Sequence, residues 1–180
     1  MKIIEHRLED VEQVACPNAD TRPTNKISLI VVHNISLPAG HFGNACVRDL
    51  FCNELDTAAH TDFGDLVDLR VSSHLMVRRD GTVLQFVPFN ERAWHAGESN
   101  FGGISGCNDF SIGIELEGTD YSGFREVQYR ELAKISHLLL AEYAIPVKNI
   151  VGHSDIARGR KTDPGPSFNW LKFRKLLHSV

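Results

Sequence analysis

The sequence has no long hydrophobic run and no excess of positive charge. None of its 180 residues lies in a stretch that approaches the roughly 18 apolar residues of a membrane-spanning helix. The formal net charge of -4 at pH 7 argues against a protein that follows the phosphates of a nucleic acid. We therefore expect neither a membrane nor a nucleic-acid partner.

Paired cysteines and an export signal are also missing. The four cysteines (Cys16, Cys46, Cys52 and Cys107) form no Cys-x-x-Cys pattern, which favours free thiols in a reducing compartment. Charged residues interrupt positions 1–7, where the apolar core of a signal peptide would begin. These features predict a cytoplasmic protein.

The composition is that of a globular protein, with 42% hydrophobic and 23% charged residues. A chain of this length predicts a single domain, and we expect a monomer. Pro17 and Pro23 break any long element near the start, so residues 1–26 are predicted to wrap the domain as an irregular segment.

Strand-like and helix-like patterns alternate along the chain. Short β-branched or apolar runs predict three strands, at 27–33, 109–116 and 149–152. Asp80-Gly81 predicts a hairpin between residues 73–79 and 82–87. Helical periodicity covers 45–55, 126–143 and 170–177. This order predicts the α/β class, with a mixed central β-sheet flanked by helices.

Polar residues stand where the strand patterns would otherwise be apolar. His33 closes the first strand, Glu115 interrupts the second, and His153 closes the third. Active-site groups gather at strand ends in such folds, so these side chains are expected to converge. A buried glutamate needs a cation or a partner, and an ion pair with Arg78 or Arg79 is the alternative.

A further carboxylate follows His153 by ten positions. Asp163 is followed by Pro-Gly-Pro, which stiffens the segment, and Lys161 lies two residues before it. Asp163 is either a metal ligand or a helix-capping residue in a surface turn.

Two histidines and one carboxylate leave a coordination position open for water, which is typical of catalytic zinc sites. In that interpretation His33, His153 and Asp163 bind one Zn²⁺ per chain. Glu115 is then a candidate general base, and Lys161 a candidate group for stabilising an oxyanion.

Four other residues are candidates for substrate binding. Asn34 adjoins a predicted ligand, although it is equally suited to ending a strand. Arg70 suits a carboxylate, or is simply exposed. Trp94 and His95 lie in a long Gly-rich segment, residues 90–108, that is predicted to be a loop. They either line a sugar subsite or serve as a packing residue and a hydrogen-bond partner of a ligand histidine.

Several segments resemble the zinc N-acetylmuramoyl-L-alanine amidases, a group that includes phage lysozymes of the amidase type and peptidoglycan recognition proteins. The resemblance covers residues 27–175 and rests on Val-Val-His-Asn (31–34), Ser-His-Leu-Met-Val-Arg-Arg-Asp-Gly (73–81), Ala-Trp-His-Ala-Gly (93–97), Ser-Ile-Gly-Ile-Glu-Leu (111–116), Val-Gly-His (151–153) and Lys-Thr-Asp-Pro-Gly (161–165). The run from Cys107 to Asp120 is most similar to the cytosolic AmpD type, the 1,6-anhydro-N-acetylmuramyl-L-alanine amidases of cell-wall recycling.

The resemblance implies the same zinc ligands, with Glu115 as the acid and base and Lys161 as the stabilising cation. It implies hydrolysis of the amide bond between (1,6-anhydro)-N-acetylmuramic acid and L-alanine in muropeptides. The alternative is a module that recognises muropeptides without cleaving them. The sequence departs from the family pattern at Ser73, where a tyrosine is expected, and at Gly106, where the AmpD type has arginine.

Overall fold

The computed structural model describes residues 1–180 and contains a central sheet of six strands. From one edge to the other the strands are β12 (Ile150–Gly152), β5 (Leu29–Ile35), β11 (Ser111–Glu117), β6 (Leu75–Val77), β7 (Val83–Gln85) and β3 (Glu12–Gln13). The first four are mutually parallel, whereas β7 runs antiparallel to β6 through the predicted hairpin. The predicted mixed sheet is confirmed.

Helices lie on both faces of this sheet. The helices are α1 (Cys46–Phe51), α2 (Glu126–Glu142), α3 (His153–Ile156) and α4 (Trp170–Leu177), with 3-10 turns at 61–66, 107–109 and 147–149. Leu132, Ile135 and Leu139 recur at helical spacing on α2, and they are fully buried against Ile30 and Ile114 in the largest core cluster. No helix has both the length and the hydropathy needed to cross a bilayer.

Successive side chains of β5 and β11 point to opposite faces of the sheet, so only every second one enters this core. Ile112 and Ile114 point toward α2, so Ser111, Gly113 and Glu115 point away from it. The same period of two places His33 on the face opposite Val32. The polar residues of the strands therefore share the face that α2 leaves free.

Several predicted elements differ in extent from the observed ones; both hairpin strands, for example, are shorter than predicted. The first strand continues past His33 to Ile35, so that the histidine lies within β5 rather than at its end. Helix α1 ends at Phe51 instead of residue 55, because Asn53 adopts a left-handed conformation with φ of 60°.

The first 26 residues contain four short strands. Strand β3 extends the central sheet beside β7, while β4 (Ala19–Thr21) pairs with β8 (Glu91–Ala93), and β1 (Ile3–Ile4) pairs with β2 (Arg7–Leu8). A second small hairpin, β9 (Asn100–Phe101) with β10 (Ile104–Ser105), lies in the Gly-rich segment.

Arg22 anchors the N-terminal segment to the Gly-rich segment. Its guanidinium donates hydrogen bonds to the carbonyl oxygens of Phe89 (3.1 Å), Asn108 (2.9 Å) and Ser111 (2.7 Å). The side chain is only 5% exposed, and burial lowers its pKa to about 10, so it remains a cation at neutral pH. One buried guanidinium group thus pairs three carbonyl groups that lie far from Arg22 in the sequence.

We expect Arg22→Met to lower the free energy of unfolding by about 3 kcal/mol, because three buried carbonyl groups lose their donor. Arg22→Lys should lie between this variant and the wild type, since an ammonium lacks the planar fork. Urea unfolding measures both. Arg130→Met is the matched control, because that side chain is 62% exposed. Equal midpoints for the Arg22→Met and Arg130→Met variants would contradict the anchor.

Candidate metal centre and active site

Strand register brings the predicted polar residues together. His33 on β5 is aligned with Glu115 on the neighbouring β11, so their side chains leave the same face at the same level. On the other side of β5, Gly152 is aligned with Val32, which places His153 next to His33. Residues on β5, on β11 and directly after β12 thus meet near the carboxyl ends of the parallel strands.

Three ligand-type atoms converge in this cluster. Asp163 Oδ2 lies 2.9 Å from His33 Nδ1 and 3.1 Å from His153 Nδ1, and the two nitrogens are 3.1 Å apart. Four-coordinate zinc with bonds of about 2.0 Å requires ligand atoms roughly 3.3 Å apart. The spacing therefore suits a small tetrahedral cation.

The tautomer of His153 supports a cation at this position. Its Nε2 lies 3.1 Å from the carbonyl oxygen of Ala96, which can only accept, so Nε2 carries the hydrogen. Nδ1 then presents a lone pair to the Asp163 carboxylate. Burial lowers the pKa of His33 to about 4, so the His33 ring is neutral at pH 7. Two lone pairs and a carboxylate oxygen at these distances could together hold a positive ion.

Close packing of the loop fixes Asp163. Gly165 has φ of +80°, and a Cβ there would lie 2.3 Å from the Cα of Asp120. Pro164 packs on Gly152, where a Cβ would lie 2.8 Å from the proline ring. The carboxylate of Asp163 contacts two histidines and caps no helix, so the helix-capping alternative is wrong.

Glu115 is a buried carboxyl group beside the cluster. Its Oε1 lies 4.0 Å from His33 Nδ1, and its Oε2 is buried without a hydrogen-bond partner. Burial, with the negative charge of Asp163, raises its pKa well above the usual range, although Lys161 opposes the shift. It pairs with neither Arg78 nor Arg79, so the ion-pair alternative is also wrong. The backbone N–H of Arg79 donates instead to Glu117, two residues along.

An open cavity of about 400 Å³ lies over the cluster. Polar lining residues include Asn34, Trp94, Glu115, Asp120, Lys161 and Asp163. A larger groove of about 1220 Å³ runs beside β12 and α4, but it contains none of the three clustered ligands. The three clustered ligands therefore open into the smaller cavity.

The other predicted residues occupy different positions around this cavity. Lys161 is exposed at its rim, and Trp94 is half-buried in its wall. Asn34 Nδ2 donates to Asp120 Oδ1 at 2.8 Å, which leaves the Asn34 amide oxygen as an acceptor. Arg70 is exposed outside the lining and donates to the Leu69 carbonyl. His95 also lines the cavity, and its Nδ1 lies 2.9 Å from His33 Nε2, the ring nitrogen that does not face Asp163.

Several residues around the cavity were not predicted from the sequence. Asp120, which holds Asn34, ends the run from Cys107 that resembles the AmpD type, but it was not predicted as a site residue. The apolar wall of Leu37, Leu66 and Leu69 comes from segments in which no strand or helix was predicted. Ser111 was not predicted either, although a polar residue on the same strand face as Glu115 could have indicated it. Of the two departures from the family pattern, neither Ser73 nor Gly106 lines the cavity.

A buried His-His-Asp cluster with an unpaired carboxyl group beside it, open to a cavity, is the arrangement of a metal-dependent hydrolase. The family model described as N-acetylmuramoyl-L-alanine amidase matches residues 23–166. The chain therefore belongs to the N-acetylmuramoyl-L-alanine amidase family.

Similar proteins narrow the comparison within this family. The chain is 50% identical to the 1,6-anhydro-N-acetylmuramyl-L-alanine amidase AmpD of Salmonella typhimurium over 171 residues, which cover 94% of this chain and 91% of the relative. The corresponding enzyme of Escherichia coli is 49% identical, with 94% and 93% covered. An AmpD crystal structure superposes with a TM-score of 0.96 at 48% identity, covering 98% of this chain and 99% of the other.

A more distant relative has been solved with a substrate. Escherichia coli AmiD, in complex with anhydro-N-acetylmuramic acid-L-Ala-D-γ-Glu-L-Lys, superposes with a TM-score of 0.61 at 31% identity. The match covers 94% of this chain and 60% of that chain.

Proposed function

We propose that the protein is a zinc-dependent amidase of cell-wall recycling. It hydrolyses the amide bond between 1,6-anhydro-N-acetylmuramic acid and the L-alanine of the stem peptide. The observation that carries this proposal is the buried cluster of His33, His153 and Asp163 with Glu115 beside it, in a chain similar to AmpD enzymes over nearly its full length.

In this proposal His33, His153 and Asp163 hold one Zn²⁺ per chain. Bound zinc polarises a carbonyl group and lowers the pKa of water. Glu115 accepts a proton from the attacking water and then delivers it to the nitrogen of the leaving L-alanine. Its unpaired Oε2 and raised pKa suit both steps. The Lys161 ammonium, at the rim of the same cavity, stabilises the negative charge that develops on the carbonyl oxygen.

The substrate is proposed to occupy the cavity above the cluster. The Asn34 amide oxygen is available to accept a hydrogen bond from a substrate N–H, because Asp120 occupies its nitrogen. The half-buried ring of Trp94 offers a flat surface for the sugar. Arg70, exposed outside the lining, would reach a stem-peptide carboxylate only if the peptide extends beyond the cavity.

We propose that the enzyme acts in the cytoplasm on soluble muropeptides. Support comes from its four cysteines, all of which are free thiols. Recognition without cleavage is disfavoured, because a binding module needs neither a three-ligand cluster nor a buried unpaired carboxyl group.

Digestion of anhydro- and ordinary muropeptides, with products identified by mass, tests this function. We expect release of the intact stem peptide with a free L-alanine amine, and faster release from the anhydro substrate. A chelator should abolish the reaction and Zn²⁺ should restore it. A protein that binds the muropeptide but leaves it uncleaved with zinc present would overturn the proposal.

A further inference from the structure

A chain of short contacts connects a backbone carbonyl group to His33. Ser111 Oγ lies 2.6 Å from the Cys107 carbonyl oxygen and 3.2 Å from His95 Nε2. His95 Nδ1 lies 2.9 Å from His33 Nε2. The opposite nitrogen of His33 faces Asp163 and His153. These contacts lie behind the metal cluster rather than in it.

The Cys107 carbonyl oxygen sets the direction of each hydrogen bond in this series of contacts. A carbonyl oxygen only accepts, so the single Ser111 hydroxyl hydrogen points to Cys107 and Ser111 Oγ accepts from His95. His95 therefore carries its hydrogen on Nε2 and presents a lone pair at Nδ1. His33 must then donate from Nε2, which leaves its Nδ1 without a hydrogen.

From this direction we infer that His95 is a positioning residue for the reaction: it fixes His33 in the tautomer whose Nδ1 can bind a metal ion. The inference rests on the proposed zinc function and deepens it. A neutral imidazole otherwise exchanges between two tautomers, and only one of them has a lone pair at Nδ1. Outer partners of this kind typically change metal affinity 10–100-fold when they are removed.

Gly113 provides independent evidence that packing fixes the position of the His95 ring. A Cβ on this strand residue would lie 2.5 Å from the ring of His95, closer than any real side chain tolerates. Glycine weakens a strand interior, so its presence in the middle of the fully buried β11 needs a cause. The cause here is that the His95 ring lies flat on the strand, between Ser111 and His33.

Two amide variants of His95 separate hydrogen bonding from packing. In His95→Asn the side-chain oxygen replaces Nδ1 and can accept from His33; in His95→Gln the amide is one methylene farther out, toward Ser111. We expect zinc affinity, measured by competition with a chromophoric chelator, to stay within about 3-fold of the wild type in His95→Asn. It should fall about 10–100-fold in His95→Gln and His95→Leu. His137→Asn is the control, because His137 is exposed on α2.

Nitrogen-15 NMR of the zinc-loaded protein reads the tautomer directly. We expect a protected N–H on His33 Nε2 and on His95 Nε2, and loss of the His33 signal in His95→Leu. Zinc affinity in His95→Leu or His95→Gln equal to that of the wild type, or a His33 ring unprotonated at Nε2, would overturn the inference. A wild-type protein that binds no zinc would instead refute the proposed function, so the two failures are distinguishable.

Discussion

Replacing Glu115 with glutamine is expected to lower kcat/KM for the anhydromuropeptide by about 10²–10⁴-fold, because the variant cannot accept or return a proton. Zinc affinity should remain close to that of the wild type, because Glu115 Oε1 lies 4.0 Å from His33 Nδ1 and is not one of the three clustered ligand atoms. Steady-state kinetics with zinc quantified in the same preparation measures both quantities.

The same variant should be more stable than the wild type when both are free of metal at pH 7. Burial raises the folded pKa of Glu115 well above its usual value, so ionisation opposes folding at neutral pH. That cost is absent below about pH 4, where an unfolded glutamate is itself protonated, and it grows as the pH rises. Thermal unfolding at both pH values checks the sign. A variant that is both inactive and less stable at pH 7 would assign Glu115 a structural role instead.

Replacing Asp163 with alanine should remove zinc from the purified protein and reduce turnover to the level of the chelated wild type. Asp163 supplies the only negative charge among the three ligand atoms, and it lies within 3.1 Å of both histidine nitrogens. We expect a loss of zinc affinity greater than about 100-fold, since removal of even an outer partner costs 10–100-fold. Metal content after dialysis is the measurement.

Two further variants bracket this result. Asp163→Cys keeps an anionic ligand at the position and should retain more zinc than Asp163→Ala. Glu142→Ala removes an exposed carboxylate from α2 and should leave zinc content unchanged. Asp163 would be removed from the proposed ligand set if Asp163→Ala kept stoichiometric zinc, or if the zinc-free variant turned over substrate as fast as the zinc-loaded wild type.

The strands and their polar residues were predictable because local patterns specify them. The β-branched run before His33 and the apolar run around Glu115 both formed parallel central strands, and Asp80-Gly81 formed the expected hairpin. Helix α4 spans the predicted range, whereas α1 is shorter because the backbone of Asn53 turns left-handed, which the apolar periodicity did not reveal. Periodicity locates an element more reliably than it locates its ends.

Interactions between distant residues were not predictable in this way. Arg22 and Ser111 are 89 positions apart, and nothing near Arg22 indicates that it donates to three separate carbonyl groups. Likewise, the choice for Glu115 between an arginine partner and a position beside the metal cluster needed the register of the strands. Sequence spacing does not contain the distances that decide between such alternatives.

The sequence by itself determined which residue types are available for chemistry: two histidines, an aspartate before Pro-Gly-Pro, a strand glutamate and a lysine. Only the tertiary structure decided how they act together. Register aligned His33 with Glu115, the packing of Gly165 on Asp120 fixed Asp163, and His95 proved to contact His33 from behind. The physical reason is that ligand geometry and tautomers depend on distances of about 3 Å between groups far apart in the chain, which only the folded backbone sets.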